Sequence, residues 1–348
     1  MPTTYAIPNG RTVMDATTYT GNGSTQTVVN TDNGTVGFKP DFVWIKSRSS
    51  GTYEHELFDS VRGIYNYLSS NSTAAESNNT ATLTAFNTNG FSVGSGGYNN
   101  ANGSTYVGWQ WVAGGTAVSN TTGSITSSVS VNTTAGFSIV TYTGTGVAAT
   151  VGHGLGIAPY MMIIKERNTS ARPWPVYFAG FAAPTTSYIY LDNNTAGGTG
   201  YGLFWNNTAP TNSVFSIGTD PTTNENTAAY VAYCWTPIAG FSQFGTYVGN
   251  GSADGPFVYT GFRPKFILFR DVTTASAWNI FDTSRDPYNV VGQYLQTNTS
   301  GAEGTATACD FLSNGFKVRV ISNFINTSGD TYMYAAFAEN PLKYANAR

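Results

Sequence analysis

Short apolar stretches divided by Gly, Asn and Ser turns run the length of this 348-residue chain, and their pattern recurs three times. Each copy starts with Tyr-x-Gly-x-Gly, at Tyr19 to Gly23, Tyr142 to Gly146 and Tyr247 to Gly251. A Pro then opens a continuous apolar run that closes on a basic residue: Pro40 to Lys46, Pro159 to Lys165, Pro264 to Arg270. Proline has no amide donor and suits the first residue of a strand, and an unbroken apolar run marks a strand buried on both faces. A Tyr-Leu pair follows, with Asn three residues after the Leu: Tyr67-Leu68 and Asn71, Tyr190-Leu191 and Asn194, Tyr294-Leu295 and Asn298. An alternating strand comes next, around Phe91, Phe215 and Phe316. Each copy ends in an aromatic run, Tyr106 to Trp111, Tyr230 to Trp235, or Tyr332 to Phe337. The shared order predicts one strand-rich module copied along the chain.

The repeats divide the chain into residues 1–115, a Ser/Thr-rich segment at 116–135, then 136–239 and 240–348. The 116–135 segment reads as a linker or a polar edge ribbon. Each copy is about 100 residues, an ordinary domain size, and is expected to fill its own interior. Turn signals every 8 to 12 residues or so predict an all-β chain of three tandem β-sandwich or jelly-roll-like domains related by internal repeat. Helical periodicity is scarce, with Glu56 to Leu68 the one stretch that suggests it. Copies one and three also share an acidic and a basic residue before the Tyr-Leu pair: Asp59 with Arg62, and Asp282 with Arg285. Copy two has Val176-Tyr177-Phe178 there and loses both. Such a pair can fix a loop through charge-assisted hydrogen bonds, so it is predicted to be structural.

Charged residues make up only 10%, against about 25% in an ordinary soluble protein. With 41% hydrophobic and 14% aromatic residues the chain is too apolar for disorder, so hydroxyls and amides carry its polarity. A net charge of -3 with 16 basic residues leaves no basic stripe, and no nucleic-acid partner is expected. No apolar run of about 18 residues predicts a membrane-inserted helix. The segment Met1 to Tyr5 lacks the pattern of a signal peptide. Cys234 and Cys309 are too few for a disulfide framework and read as buried thiols.

Candidate chemistry is thin. His55 and His153 are the two histidines, with no spacing that suits zinc. No acidic pair recurs in all three copies as a glycosidase module would need. Neither enzymatic activity, nor a cofactor, nor a metal is expected. Aromatic residues remain. Trp174 and Tyr177, and the loop with Tyr201, Phe204 and Trp205, fall where copy two departs from its siblings. Exposed Trp and Tyr beside Asn suit sugar rings or a protein interface, so these five are candidate glycan or partner contacts.

The segments Gly37 to Lys46, Phe58 to Arg62, Tyr67 to Asn71, Asn89-Gly90-Phe91 and Tyr106 to Trp109 together resemble a repeated domain of unknown function. That domain occurs in structural proteins of tailed phages, particularly marine and cyanobacterial ones, with a lectin- or SPRY-like sandwich. The resemblance implies a non-enzymatic virion protein of a tail fibre, tail appendage or capsid surface fibre or decoration. Other virion proteins are the expected partners, with homo-oligomerisation, a trimer favoured. The alternative is a carbohydrate-binding adhesin that recognises a host surface glycan.

Overall fold

The computed structural model describes residues 5–31, 37–169, 171–322 and 324–341. Met1 to Thr4 therefore lie outside the described residues. The chain is all-β, and one strand order recurs in its main sheets. In the first repeat, neighbours run Met14–Thr20, Thr105–Trp111, Phe42–Ser47, Glu56–Asp59. The second has Phe137–Thr143, Ala229–Trp235, Met161–Glu166, Pro175–Phe178 in the same order. The third has Ser242–Val248, Thr331–Pro341, Phe262–Asp271, Asn279–Asp282. All these neighbours are antiparallel.

A smaller sheet pairs Gln26–Val29 with Gly90–Val93, Ala149–Gly152 with Val214–Ile217, and Phe257–Tyr259 with Gly315–Val318. In the third repeat, Val291–Gln296 and Gly304–Leu312 connect the two layers into one eight-stranded sheet. The Ser/Thr-rich segment is an edge ribbon: Ser127–Asn132 pairs with Phe137–Thr143 and carries Val118–Asn120 outside it. The helix suggested for Glu56 to Leu68 is absent; strands Glu56–Asp59 and Asn66–Tyr67 stand there, since pairing with Phe42–Ser47 overrides local propensity. Pro40 and Pro159 precede their strands, whereas Pro264 sits inside one, at a register shift that tolerates its missing donor.

The Tyr-x-Gly-x-Gly element locks each module. Tyr19, Tyr142 and Tyr247 face Tyr106, Tyr230 and Tyr332 across the ladder, with rings stacked at 5.1, 5.0 and 5.2 Å. Their hydroxyls donate to the carbonyls of Asn99, Thr223 and Ile325 at 2.6, 2.7 and 2.7 Å. The following Asn100, Asn224 and Asn326 each accept, at Oδ1, the amide between the two glycines. Gly146, at φ +72°, shows why glycine is needed, because few side chains tolerate that backbone.

Each main sheet has two apolar faces. The inner face of the first repeat packs Val43, Ile45 and Phe58 on Phe91; that of the second packs Val140, Met162 and Tyr177 on Phe215. The other face carries Trp44, Trp109 and Trp111 in the first repeat, Ile163, Tyr233 and Trp235 in the second, Phe266, Leu268 and Phe337 in the third. These nine side chains belong to one continuous core. Repeats one and two thus keep interiors of their own under their inner faces, and a core shared by all three is added between the outer faces, because a sheet apolar on both faces must cover its second face too.

Aromatic contacts join every pair of repeats. Phe42 meets Tyr233 at 4.5 Å, Trp111 meets Phe337 at 5.6 Å, and Tyr160 meets Phe244 at 6.1 Å. At the centre, a cavity of about 20 Å³ is bounded by Phe42, Trp111, Met161, Trp235, Phe266 and Phe337, among others, with no polar wall. A space so small and apolar offers water no partners.

Truncating the centre should be felt throughout. Trp111→Ala is expected to cost about 3–5 kcal/mol, the usual range for a buried Trp. Chemical denaturation followed by tryptophan fluorescence would measure it. The native chain should unfold in one cooperative transition, and three resolved transitions would show independent interiors.

Candidate functional site

The basic residue that closes each apolar run reaches across to the next repeat. Lys46 Nζ donates to the Ser300 carbonyl at 3.0 Å, Lys165 Nζ to that of Thr73 at 3.3 Å, and Arg270 Nη2 to that of Thr195. The direction is cyclic: repeat one on three, two on one, three on two. A ring preceding the fourth strand repeats the pattern. His55 Nε2 meets the Gln296 carbonyl at 3.0 Å, Trp174 Nε1 donates to Ser72 at 3.0 Å, and Trp278 Nε1 to Tyr190 at 2.7 Å. Because His55 Nδ1 accepts from Trp44 Nε1 at 2.8 Å, the proton is assigned to Nε2. Burial, then the nearby Lys46, push its pKa well below the ordinary value, so the ring is neutral. His153 is held likewise between the Leu155 amide and the Thr211 carbonyl.

The Asp/Arg pairs lie at two of these junctions and are fully buried. At the junction of repeats two and one, Tyr233 donates to Asp59 Oδ2 at 2.8 Å, and Arg62 Nε donates to the same oxygen at 2.5 Å. Arg62 Nη1 reaches Glu76 at 2.7 Å, and Glu76 also receives Arg167 at 2.7 and 3.0 Å. The junction of repeats one and three copies this network. Trp109 Nε1 donates to Asp282 Oδ2 at 2.9 Å, Arg285 Nε to that oxygen at 2.6 Å, and Glu303 bridges Arg285 and Arg48. Burial alone would raise the Asp282 carboxyl, but the Arg285 guanidinium and the Trp109 bond more than offset it and hold it low. Glu76 is depressed in the same way, burial being outweighed by Arg167 and Arg62.

The third junction, repeat three on two, has a different chemistry. Phe178 occupies the Asp position in the ladder, paired with Met161 as Asp59 is with Phe42. Phe181 follows where Arg would stand, Ala335 replaces the Trp109 or Tyr233 donor, and Val272 takes the place of Arg48 or Arg167. Val272 is matched to those arginines by its backbone, since all three amides donate to the residue preceding the last Tyr. Thr199 stands nine residues after Tyr190, as Glu76 does after Tyr67 and Glu303 after Tyr294.

The candidate glycan contacts need correcting. Trp174, Tyr177, Phe204 and Trp205 are buried, and Tyr201 is half-buried with its hydroxyl on Asp220. Trp174 holds a junction, while Tyr177, Phe204 and Trp205 pack inside repeat two, with Trp205 Nε1 donating to Ser187 at 3.2 Å. Rings with no exposed face cannot stack on an external sugar. Asp59 and Asp282 each accept turn amides, as a loop-fixing pair would, and the junction role they share with Glu76, Glu303, Arg48 and Arg167 goes beyond the sequence reading. Aligning the copies from each Tyr-Leu pair and each basic run-closer would have revealed them.

The profile of a family described as a domain of unknown function, DUF7483, matches residues 10–341. The chain belongs to that family. The DUF7483 match spans all three repeats and both ion networks. A comparison with curated proteins finds no match. Among the described residues of this DUF7483 chain, no three His, Cys, Asp or Glu side chains gather as a metal-holding group. Cys234 and Cys309 are buried, and burial pushes the Cys234 thiol up to about 12.

Glu56 is a strongly perturbed carboxyl outside the junctions. It is buried in repeat one, its Oε2 has no hydrogen-bond partner, and burial pushes it up to about 8. The folded state therefore holds a proton that the unfolded chain releases near 4.5, and stability declines as pH rises from about 4.5 to 8. Glu56→Gln should abolish that decline, which parallel melting curves across this range would show. Asp282 has the opposite sign: its contribution is complete above its unfolded pKa and is lost on acidification. Asp282→Asn, which leaves Arg285 undercompensated, is expected to cost about 3–5 kcal/mol at neutral pH and to flatten the acid limb of stability.

Proposed function

We propose that this chain is a non-enzymatic building block of a bacteriophage virion, in a tail fibre, tail appendage or capsid surface fibre or decoration. In this reading, three tandem copies of one β-sandwich module were fused into a closed, rigid ring that assembles with other virion proteins. One observation carries it: a chain poor in charge places two buried Asp-Arg-Glu networks at junctions between repeats, where they hold the ring. Asp59, Arg62 and Glu76 grip one junction, and Asp282, Arg285 and Glu303 the other. The resemblance of the repeated segments to tailed-phage structural proteins supplies the virion setting. The sheet faces that a trimer of single modules would use are closed within one chain. Further assembly, including the homo-oligomer favoured from sequence, then uses the outer edges, such as the strand Phe257–Tyr259 with its exposed Phe257 and Tyr259.

Purified particles of the phage that encodes the chain should contain it in stoichiometric amount, by quantitative mass spectrometry and by antibody labelling on the particle surface. Its absence from washed particles, with the protein found only in the lysate, would overturn the assignment.

A further inference from the structure

The exceptional junction leaves a space that its two siblings fill. Between repeats two and three lies a cavity of about 210 Å³, with Phe181, Tyr188, Gly198, Thr199 and Val272 in its wall. Phe181, Thr199 and Val272 are the positions held by arginine, glutamate and arginine at the other junctions. There the long ion-paired side chains interlock; here Phe181, Thr199 and Val272 line a space open to solvent.

We propose that this cavity binds one neutral sugar ring. Its chemistry selects that class. Among the described residues no charged side chain lines it, so an anion or cation would find no counter-charge there. Ser187, Thr199, Thr246, Thr273 and Thr331 line its wall; Ser187 Oγ already donates to the Ala183 carbonyl at 2.8 Å and Thr273 Oγ1 accepts the Thr331 amide at 2.9 Å, and a hydroxyl can both donate and accept, as a polyol requires. Phe181 and Tyr188 add aromatic surface for the C–H face of a pyranose. Thr199, Thr246 and Thr273 are exposed, so the mouth faces solvent. The wall is built: Tyr188 and Gly198 exchange backbone hydrogen bonds at 2.9 Å in both directions, and a Cβ on Gly198 would strike the Tyr188 ring. A volume below the usual range for drug-sized ligands suits a single terminal sugar, with the rest of a glycan outside.

This site goes beyond the virion assignment, and its failure would leave that assignment standing. It also seats glycan recognition away from the buried Trp174 and Trp205. The test is saturation-transfer NMR on the full chain with the methyl glycosides of glucose, galactose, mannose and N-acetylglucosamine. At least one should show transfer. The double variant Thr199→Glu, Val272→Arg, which places in the cavity the ion pair found at both sibling junctions, should lose it while melting no lower than the native chain. Ala182→Trp, an exposed rim substitution, should lose it independently of whether the double variant folds. Transfer from none of the four glycosides, or transfer that persists in a folded variant, would overturn the proposal.

Discussion

A sheet that is apolar on both sides cannot stand alone in water, and everything else in this molecule follows from that constraint. Within each repeat the inner face is covered by a second layer of strands. The outer face, with Trp44 and Trp111, Ile163 and Trp235, or Phe266 and Phe337, needs another cover. Burying one large apolar side chain is worth about 1.5–3 kcal/mol, and the shared core contains dozens. Three outer faces turned toward each other satisfy the requirement and close a ring.

Against that term the ion networks are secondary in energy and primary in registration. A buried ion pair roughly breaks even against well-packed apolar residues of similar volume, while losing one partner is costly. The molecule contains the comparison. Two junctions use Asp, Arg, Glu and a second Arg, and the third uses Phe178, Phe181, Thr199 and Val272, yet all three close. The changes run in step across the contact. Repeat two lacks the acids and the arginine that Tyr233 and Trp109 address elsewhere, and repeat three presents Ala335, which has no donor to address them. Directional bonds such as Lys46 to Ser300 then fix which repeat sits on which.

Much of this could be read without coordinates. Tyr142, Gly144 and Gly146 announced their module because a stacked ring, a close approach and a positive φ each demand a particular residue locally. The unbroken run Met161 to Ile164 announced burial on both faces. The same run requires a second cover on its outer face, which the neighbouring repeats supply. Trp174 and Trp205 misled. Their stretch departs from the other copies, and departure resembles an exposed, specialised surface, whereas Trp174 bonds across a junction to Ser72 and Trp205 packs inside repeat two. Glu56 looked like part of a helix because carboxylates and leucines share helical spacing, and only its pairing with Ile45 shows the strand.

Sequence by itself determined the strand content, the recurrence of the Tyr-Gly element and the scarcity of ionic chemistry, because these depend on composition and on neighbours a few residues away. Tertiary structure alone decided how the copies meet, which acid answers which arginine, and where space is left over. Those depend on contacts such as Arg48 with Glu303, more than two hundred positions apart in the chain, and no local pattern encodes which distant surface will arrive to complete a site.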